Sequence, residues 1–127
     1  MVKNLVQFEV SVKSDYDDNL YTGIFKAKTK LSIREKLMQD TIYRGFLGNN
    51  PQDASQDAKS QAFALAYCRV RLLDPFPKFW TDSEFGEKLE DTDILYEICN
   101  KCNEAVEKEF AVLKKAAEEA EAELKKE

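Results

Sequence analysis

The sequence contains no histidine. Histidine is the commonest general base, and its absence removes the Ser–His and Cys–His pairs that activate nucleophiles. Glycine is also scarce, and the four glycines are scattered along the chain instead of forming a phosphate-binding loop. We therefore predict that the protein is not an enzyme and that it has no catalytic or cofactor-binding residues.

Cysteine is limited to Cys68, Cys99 and Cys102, an odd number that does not suit a secreted disulfide framework. Cys99 and Cys102 form a CxxC pair, but the pair falls inside a predicted helix, whereas a redox pair normally opens one. A zinc site needs four ligands, and there is no histidine to complete the set. We interpret the cysteines as buried structural thiols and predict no metal site. A redox or metal-binding protein is the alternative.

Long apolar runs are absent, both at the N-terminus, where a secretion signal would lie, and elsewhere, where a membrane helix needs about 20 residues. The net charge is −5, which opposes binding to nucleic acids and anionic membranes. We expect an intracellular protein that contacts neither. One feature supports a nucleic-acid-binding regulator instead: Lys26, Lys28 and Lys30 would form a basic stripe on a strand. Lysines of this kind more often keep an exposed strand from pairing with another chain.

The N-terminal part of the chain has the pattern of a β-hairpin. Residues 5–13 alternate from Val6 onward, so that Phe8, Val10 and Val12 share one face, and residues 21–31 alternate again. Between them, residues 14–19 have turn chemistry. The aspartates of this segment lack the spacing of an EF-hand calcium loop, so a polar hairpin loop is favoured.

Three helices are predicted after the hairpin. The first begins at Ser32, which forms a capping box with Glu35, and stops at Gly48. The second covers about residues 55–73. The third begins at Asp91 or Thr92 and continues to the C-terminus. The residues expected to be buried on the first helix are Ile33, Leu37, Met38, Ile42 and Phe46. Those expected on the second are Ala58, Ala62, Phe63, Leu65, Ala66, Val70 and Leu73.

The predicted fold class is α+β: an N-terminal antiparallel β-hairpin followed by three helices, of which the last is long and projects at the C-terminus. We expect residues 1–113 to form a single domain. Residues 114–127 are expected to form a charged helical tail, because they have high helix propensity and almost nothing to bury.

Four aromatic residues crowd the segment between the second and third helices: Phe76, Phe79, Trp80 and Phe85. Buried aromatic rings would pin this segment onto the core, and we favour that interpretation for most of them. Exposed rings would form a hot spot for a protein partner. The segment is therefore the first candidate for a docking site.

Several residue clusters, taken in order and spacing, resemble the tail assembly chaperones of tailed bacteriophages over roughly residues 20–110. The clusters are Tyr21-Thr22-Gly23 with Phe25, Arg34-Glu35-Lys36 with Gln39-Asp40, Leu47-Gly48, Gln61-Ala62-Phe63-Ala64 with Arg69-Val70, Phe79-Trp80, Gly86, and Leu89-Glu90-Asp91 with Ile94 and Glu97-Ile98.

This resemblance implies a non-enzymatic chaperone in the host bacterial cytoplasm. Such a chaperone binds the tape measure protein and helps recruit tail tube subunits during virion morphogenesis, with self-association into a homo-oligomer as a further possibility. It implies no cofactor and no individual functional residue. The alternative is a permanent virion structural subunit of the head, neck or tail.

Overall fold

The structure is a computed structural model that describes residues 4–125, so the outermost residues of the predicted domain and tail lie outside it. Strands β1 (Val6–Lys13) and β2 (Leu20–Ala27) form an antiparallel hairpin. A two-residue strand, β3 (Leu72–Leu73), pairs with the end of β2, so that the sheet order is β1-β2-β3. The α+β fold class is thereby confirmed, and the predicted hairpin gains a third strand.

The alternating pattern of β1 has the predicted effect on burial. Val6, Phe8 and Val10 are buried, whereas the residues between them are exposed. Phe8 stacks on Phe25 of β2 with 5.4 Å between the ring centroids. Because successive side chains of a strand point to opposite faces, this register fixes one apolar face for the whole hairpin.

The second strand ends at Ala27 and not at Leu31 as predicted. Beyond Ala27 the backbone pairs with an arginine from a helix. The Lys28 N–H donates to the Arg71 carbonyl at 3.0 Å, and the Arg71 guanidinium donates to the carbonyls of Lys28 and Thr29 at 2.9 and 3.1 Å. These long-range bonds satisfy backbone groups that a continued strand would have needed to pair.

Helix α1 (Ile33–Leu47) begins with the predicted capping box between Ser32 and Glu35. It ends at Gly48, whose φ of +81° is a conformation that glycine adopts without strain. A short 3₁₀ helix (Pro51–Asp53) then leads to α2 (Gln56–Arg71). The prediction that α2 reaches Leu73 is wrong, because Leu72 and Leu73 become extended and pair with β2.

The segment predicted to be irregular contains a five-residue helix, α3 (Lys78–Asp82). The last helix, α4 (Thr92–Lys125), has the predicted start, because the Asp91 carboxylate accepts a hydrogen bond from the Asp93 N–H at 3.0 Å. Asp91 is itself buried and accepts a second bond, from the Ser14 hydroxyl at 2.9 Å. The hairpin turn is therefore tied to the first turn of α4.

The core lies between the sheet and the first half of α4, which packs mainly against β1. Its fully buried side chains include Val10, Phe25, Ile94, Ile98 and Cys102. Helix α2 covers a further side of α4, and α1 packs against α2. No helix within residues 4–125 is both long enough and apolar enough to cross a membrane.

Candidate protein-binding surface

Helix α1 exposes the side chains that were expected to anchor it. Ile33 is 77% exposed, Leu37 65%, Met38 49% and Phe46 37%, and none of the 15 residues of α1 is buried. The predicted buried stripe is therefore wrong. Ile33, Leu37 and Met38 lie on the outer side of the helix, and we call these three residues the α1 apolar side.

The reason is geometric. Ile33 and Ile42 are nine positions apart in the sequence. At 3.6 residues per turn, that spacing puts them on opposite sides of a helix. Since α1 contacts mainly α2, it can turn only one side inward. The half-buried residues of α1 are Glu35, Gln39, Ile42, Tyr43 and Leu47. This angular spread is a signal in the sequence, because it distinguishes apolar residues that share one side of a helix from apolar residues distributed around it.

A groove of about 610 Å³ opens beside α1, between α2 and α4. Its apolar wall includes Tyr43, Phe63 and Tyr96. Phe63 was expected on the buried side of α2, but it is 51% exposed and packs edge-to-face with Tyr43 at 6.4 Å between centroids. We call this feature the helical groove. Apolar side chains left in water next to a concave surface are typical of protein interaction sites.

The structure places Trp80 of the aromatic segment inside the core, with 1% of its surface exposed and its ring edge-to-face with Phe25 at 5.8 Å. Phe79 is half-buried between Tyr21 and Phe25, at 5.3 and 6.0 Å. These two rings pin α3 to the hairpin, so they have little surface to offer to a partner.

The other two aromatic candidates pair with each other. The rings of Phe76 and Phe85 meet edge-to-face at 5.5 Å, and the Arg69 guanidinium lies 5.2 Å from the centre of the Phe85 ring. Phe76 is half-buried and Phe85 is 36% exposed. Phe85 is therefore the member of the four that offers most surface, and the docking role of the set stays a prediction.

The three cysteines lie close to the boundary between α2 and α4, and all are free thiols. Cys68 and Cys102 are buried, and burial raises the pKa of Cys102 to about 11. Cys99 is half-buried and lines the helical groove. A hydrogen bond from the Cys68 thiol, helped by the positive charge of Arg71, lowers the pKa of Cys99 despite its partial burial. Cys99 is therefore the most reactive of the three.

The predicted lysine stripe does not form one free basic surface. Lys26 and Lys28 are half-buried, and the Lys28 ammonium pairs with Glu35 of the capping box. This ion pair, with the Ser32 backbone N–H, lowers the pKa of Glu35 to about 2. Lys30 is exposed, and its backbone is held by Asn4 through two hydrogen bonds of 2.6 and 3.0 Å. The side chains of Lys26, Lys28 and Lys30 therefore do not share one continuous basic surface.

In the acidic hairpin turn, the Asp17 carboxylate is held by hydrogen bonds from nearby residues of the chain. The Asp17 carboxylate accepts hydrogen bonds from the Tyr21 hydroxyl at 2.6 Å and from the Asn19 N–H at 3.0 Å. The bond from Tyr21 is the main cause of a lowered pKa at Asp17. Within residues 4–125, no three His, Cys, Asp or Glu side chains are grouped so that they could hold a metal ion.

Comparisons with protein families, with curated proteins and with solved structures found no match to this chain.

Proposed function

We propose that this protein is a non-enzymatic tail assembly chaperone of a tailed bacteriophage. In this proposal it acts in the host bacterial cytoplasm, binds the tape measure protein, and helps recruit tail tube subunits during virion morphogenesis. The resemblance of residues 20–110 to such chaperones supplies the identity of the client. The physical support comes from the surface of the protein itself.

The observation that carries the proposal is the α1 apolar side. A side chain of this size contributes about 1.5–3 kcal/mol when it is fully removed from water. Ile33 and Leu37 have 77% and 65% of their surface still exposed, so covering them would contribute on the order of 1–2 kcal/mol each. A protein that keeps such residues in water on a helix is suited to hold an apolar client.

The α1 apolar side and the helical groove also fit the shape of that client. Tape measure proteins are long helical chains, and an amphipathic helix is recognised by apolar grooves and helix faces. The groove is lined by Tyr43, Phe63 and Tyr96, which are rigid and large, and aromatic anchors of this kind dominate binding energy at protein interfaces.

The experiment is co-expression with a phage tape measure protein, whose gene this proposal expects immediately downstream of this one, followed by sedimentation of the lysate. We expect the wild-type protein to keep the client in the supernatant. We expect the double variant Ile33→Ser with Leu37→Ser to lose this effect, because a loss of about 2–4 kcal/mol corresponds to at least a tenfold weaker complex. Tyr16→Ser is the matched control, since Tyr16 is 75% exposed in the hairpin turn, away from α1. A client that pellets equally with and without the wild-type protein would contradict the proposal.

A permanent virion subunit would use the same apolar surface, because a neighbouring subunit in the particle would cover it. Mass spectrometry of purified virions separates the two functions. A chaperone is absent from the finished particle, whereas a head, neck or tail subunit is present in stoichiometric amount.

A further inference from the structure

Of the apolar residues between Val106 and Leu124 in α4, Ala111, Val112, Ala116 and Ala122 lie off the repeat, and the other six follow a heptad. Their separations alternate between four and three positions, which is the spacing of a helix that packs along a second helix. The residues are Val106, Phe110, Leu113, Ala117, Ala120 and Leu124. We call them the C-terminal stripe.

The stripe continues the buried side of α4. Its first member, Val106, is 4% exposed and belongs to the core, whereas Phe110 is 42% and Leu124 72% exposed. Every side chain from 114 to 125 is exposed, so no part of the chain between residues 4 and 125 covers this end of α4. The stripe therefore begins in the core and extends along the helix into solvent.

One margin of the stripe is acidic. On that side lie Glu109 and Glu123, with Ala116 between them, and neither carboxylate has a cation within 4 Å among residues 4–125. The opposite margin consists of Glu107, Lys114 and Glu121, so it carries both signs, and Glu121 pairs with Lys125 at 3.5 Å. The charge beside the stripe thus favours a partner that is basic on the side of Glu109 and Glu123.

A second copy of this chain does not meet that requirement. In the antiparallel pair that aligns all six stripe residues, Glu109 lies opposite Glu123 of the other copy and Lys114 opposite Lys114, which are contacts of like charge. In a parallel pair, the part of the second helix before Val106 would overlap the folded domain of the first copy, because this side of α4 is buried in the core at Val106 and before it. Both arrangements are disfavoured, one by charge and one by overlap.

We infer that the C-terminal stripe is a docking site for one amphipathic helix of a different protein, with apolar residues at heptad spacing and lysine or arginine facing Glu109 and Glu123. This inference rests on the proposed protein-binding function and adds to it a second surface and the chemistry of the segment bound there. The α1 apolar side and the C-terminal stripe are on different helices, so each can be altered without the other.

The test uses two labelled 21-residue helical peptides with leucine at the a and d positions of the heptad, one with lysine and one with glutamate at the flanking positions. Fluorescence anisotropy at low salt measures their affinity for the full-length protein. We expect the lysine peptide to bind at least about fivefold more tightly than the glutamate peptide. Phe110→Ser with Leu113→Ser should abolish binding of both peptides. These two side chains are largely outside the core, so the variant should remain folded.

Charge-reversal variants distinguish binding beside Glu109 and Glu123 from a general attraction of the lysine peptide to an acidic protein. Glu109→Lys with Glu123→Lys should reverse the preference toward the glutamate peptide. Glu118→Lys with Glu119→Lys changes the net charge equally on the outer side of α4 and should keep the original preference. Equal affinity for the two peptides, or the same response from both reversal variants, would overturn the inference.

Sedimentation equilibrium of the wild-type protein provides the remaining outcome. A dimer that Leu113→Ser dissociates would mean that the stripe binds a second copy, and the inference would be wrong. None of these results alters the co-expression assay, which depends on the α1 apolar side. Loss of the peptide preference with client solubilisation intact refutes the docking site alone, whereas failure of wild-type solubilisation refutes the chaperone function.

Discussion

Alanine substitutions at Ile98 of α4 and Leu37 of α1, made one at a time, test whether α4 is buried and α1 keeps apolar side chains in water, as the proposed function requires. Ile98 is fully buried between α4 and the sheet, and Ile98→Ala should cost about 2–5 kcal/mol, because it removes buried methyl groups and leaves a cavity. Leu37 is 65% exposed, so only about a third of its full burial energy, roughly 0.5–1 kcal/mol, is present to be lost. Alanine also returns a few tenths of a kcal/mol through its helix propensity.

Urea unfolding at 25 °C, followed by circular dichroism, measures both changes. With a denaturant slope of about 1–3 kcal/mol per molar for a protein of this size, Ile98→Ala should lower the midpoint by roughly 0.7–5 M, and Leu37→Ala by less than about 1 M. The client-binding assay should show the reverse order of effects. If Leu37→Ala destabilised the protein by more than about 2 kcal/mol with an unchanged slope, Leu37 would be a core residue and the α1 apolar side would not exist.

Three further predictions concern pH, packing and reactivity. The ion pair with Lys28 lowers the pKa of Glu35 from 4.5 to about 2, so its stabilising effect should be complete above pH 4.5 and disappear as the pH falls through 2. In urea titrations, Glu35→Gln should remove that part of the pH dependence. Gly86→Ala should cost at least about 2 kcal/mol of stability, because φ is +92° and the new Cβ would lie 2.8 Å from a buried tryptophan ring. Gly45→Ala has open space around it and should stabilise α1 by about 0.5–1 kcal/mol. Thermal unfolding of both variants measures the two changes. Iodoacetamide should modify Cys99 before the two buried cysteines in peptide mass spectra, and equal rates would contradict its lowered pKa.

Part of the fold could be predicted because it depends on neighbours in the chain. The alternation from Val6 to Val12 and the capping box of Ser32 with Glu35 both appear in the structure where they were expected. The start of α4 also agrees, since Asp91 caps it. The two helix caps are decided by side chains and backbone groups within four residues of each other, and the alternation follows from the two-residue repeat of a strand.

The candidate surface was less predictable, because burial depends on what lies opposite. The sequence of α1 shows apolar residues at helical spacing, but whether Leu37 meets a neighbour or water depends on the position of α2. In the same way, an aromatic segment is suited both to a core and to an interface, and the contacts with Phe25 and Tyr21 place Trp80 and Phe79 on the core.

Local contacts and local residue patterns encode the starts of α1 and α4, the long charged end of α4 and the two strands of the hairpin. Contacts between distant elements set three other features: β2 stops where Arg71 binds its backbone, Leu72 and Leu73 leave the helix to join the sheet, and the α1 apolar side remains in water. The two groups of features differ in how far apart the interacting residues are along the chain. Hydrogen bonds and side-chain pairs within a turn are encoded by adjacent residues, whereas burial is a relation between surfaces that are far apart in the chain.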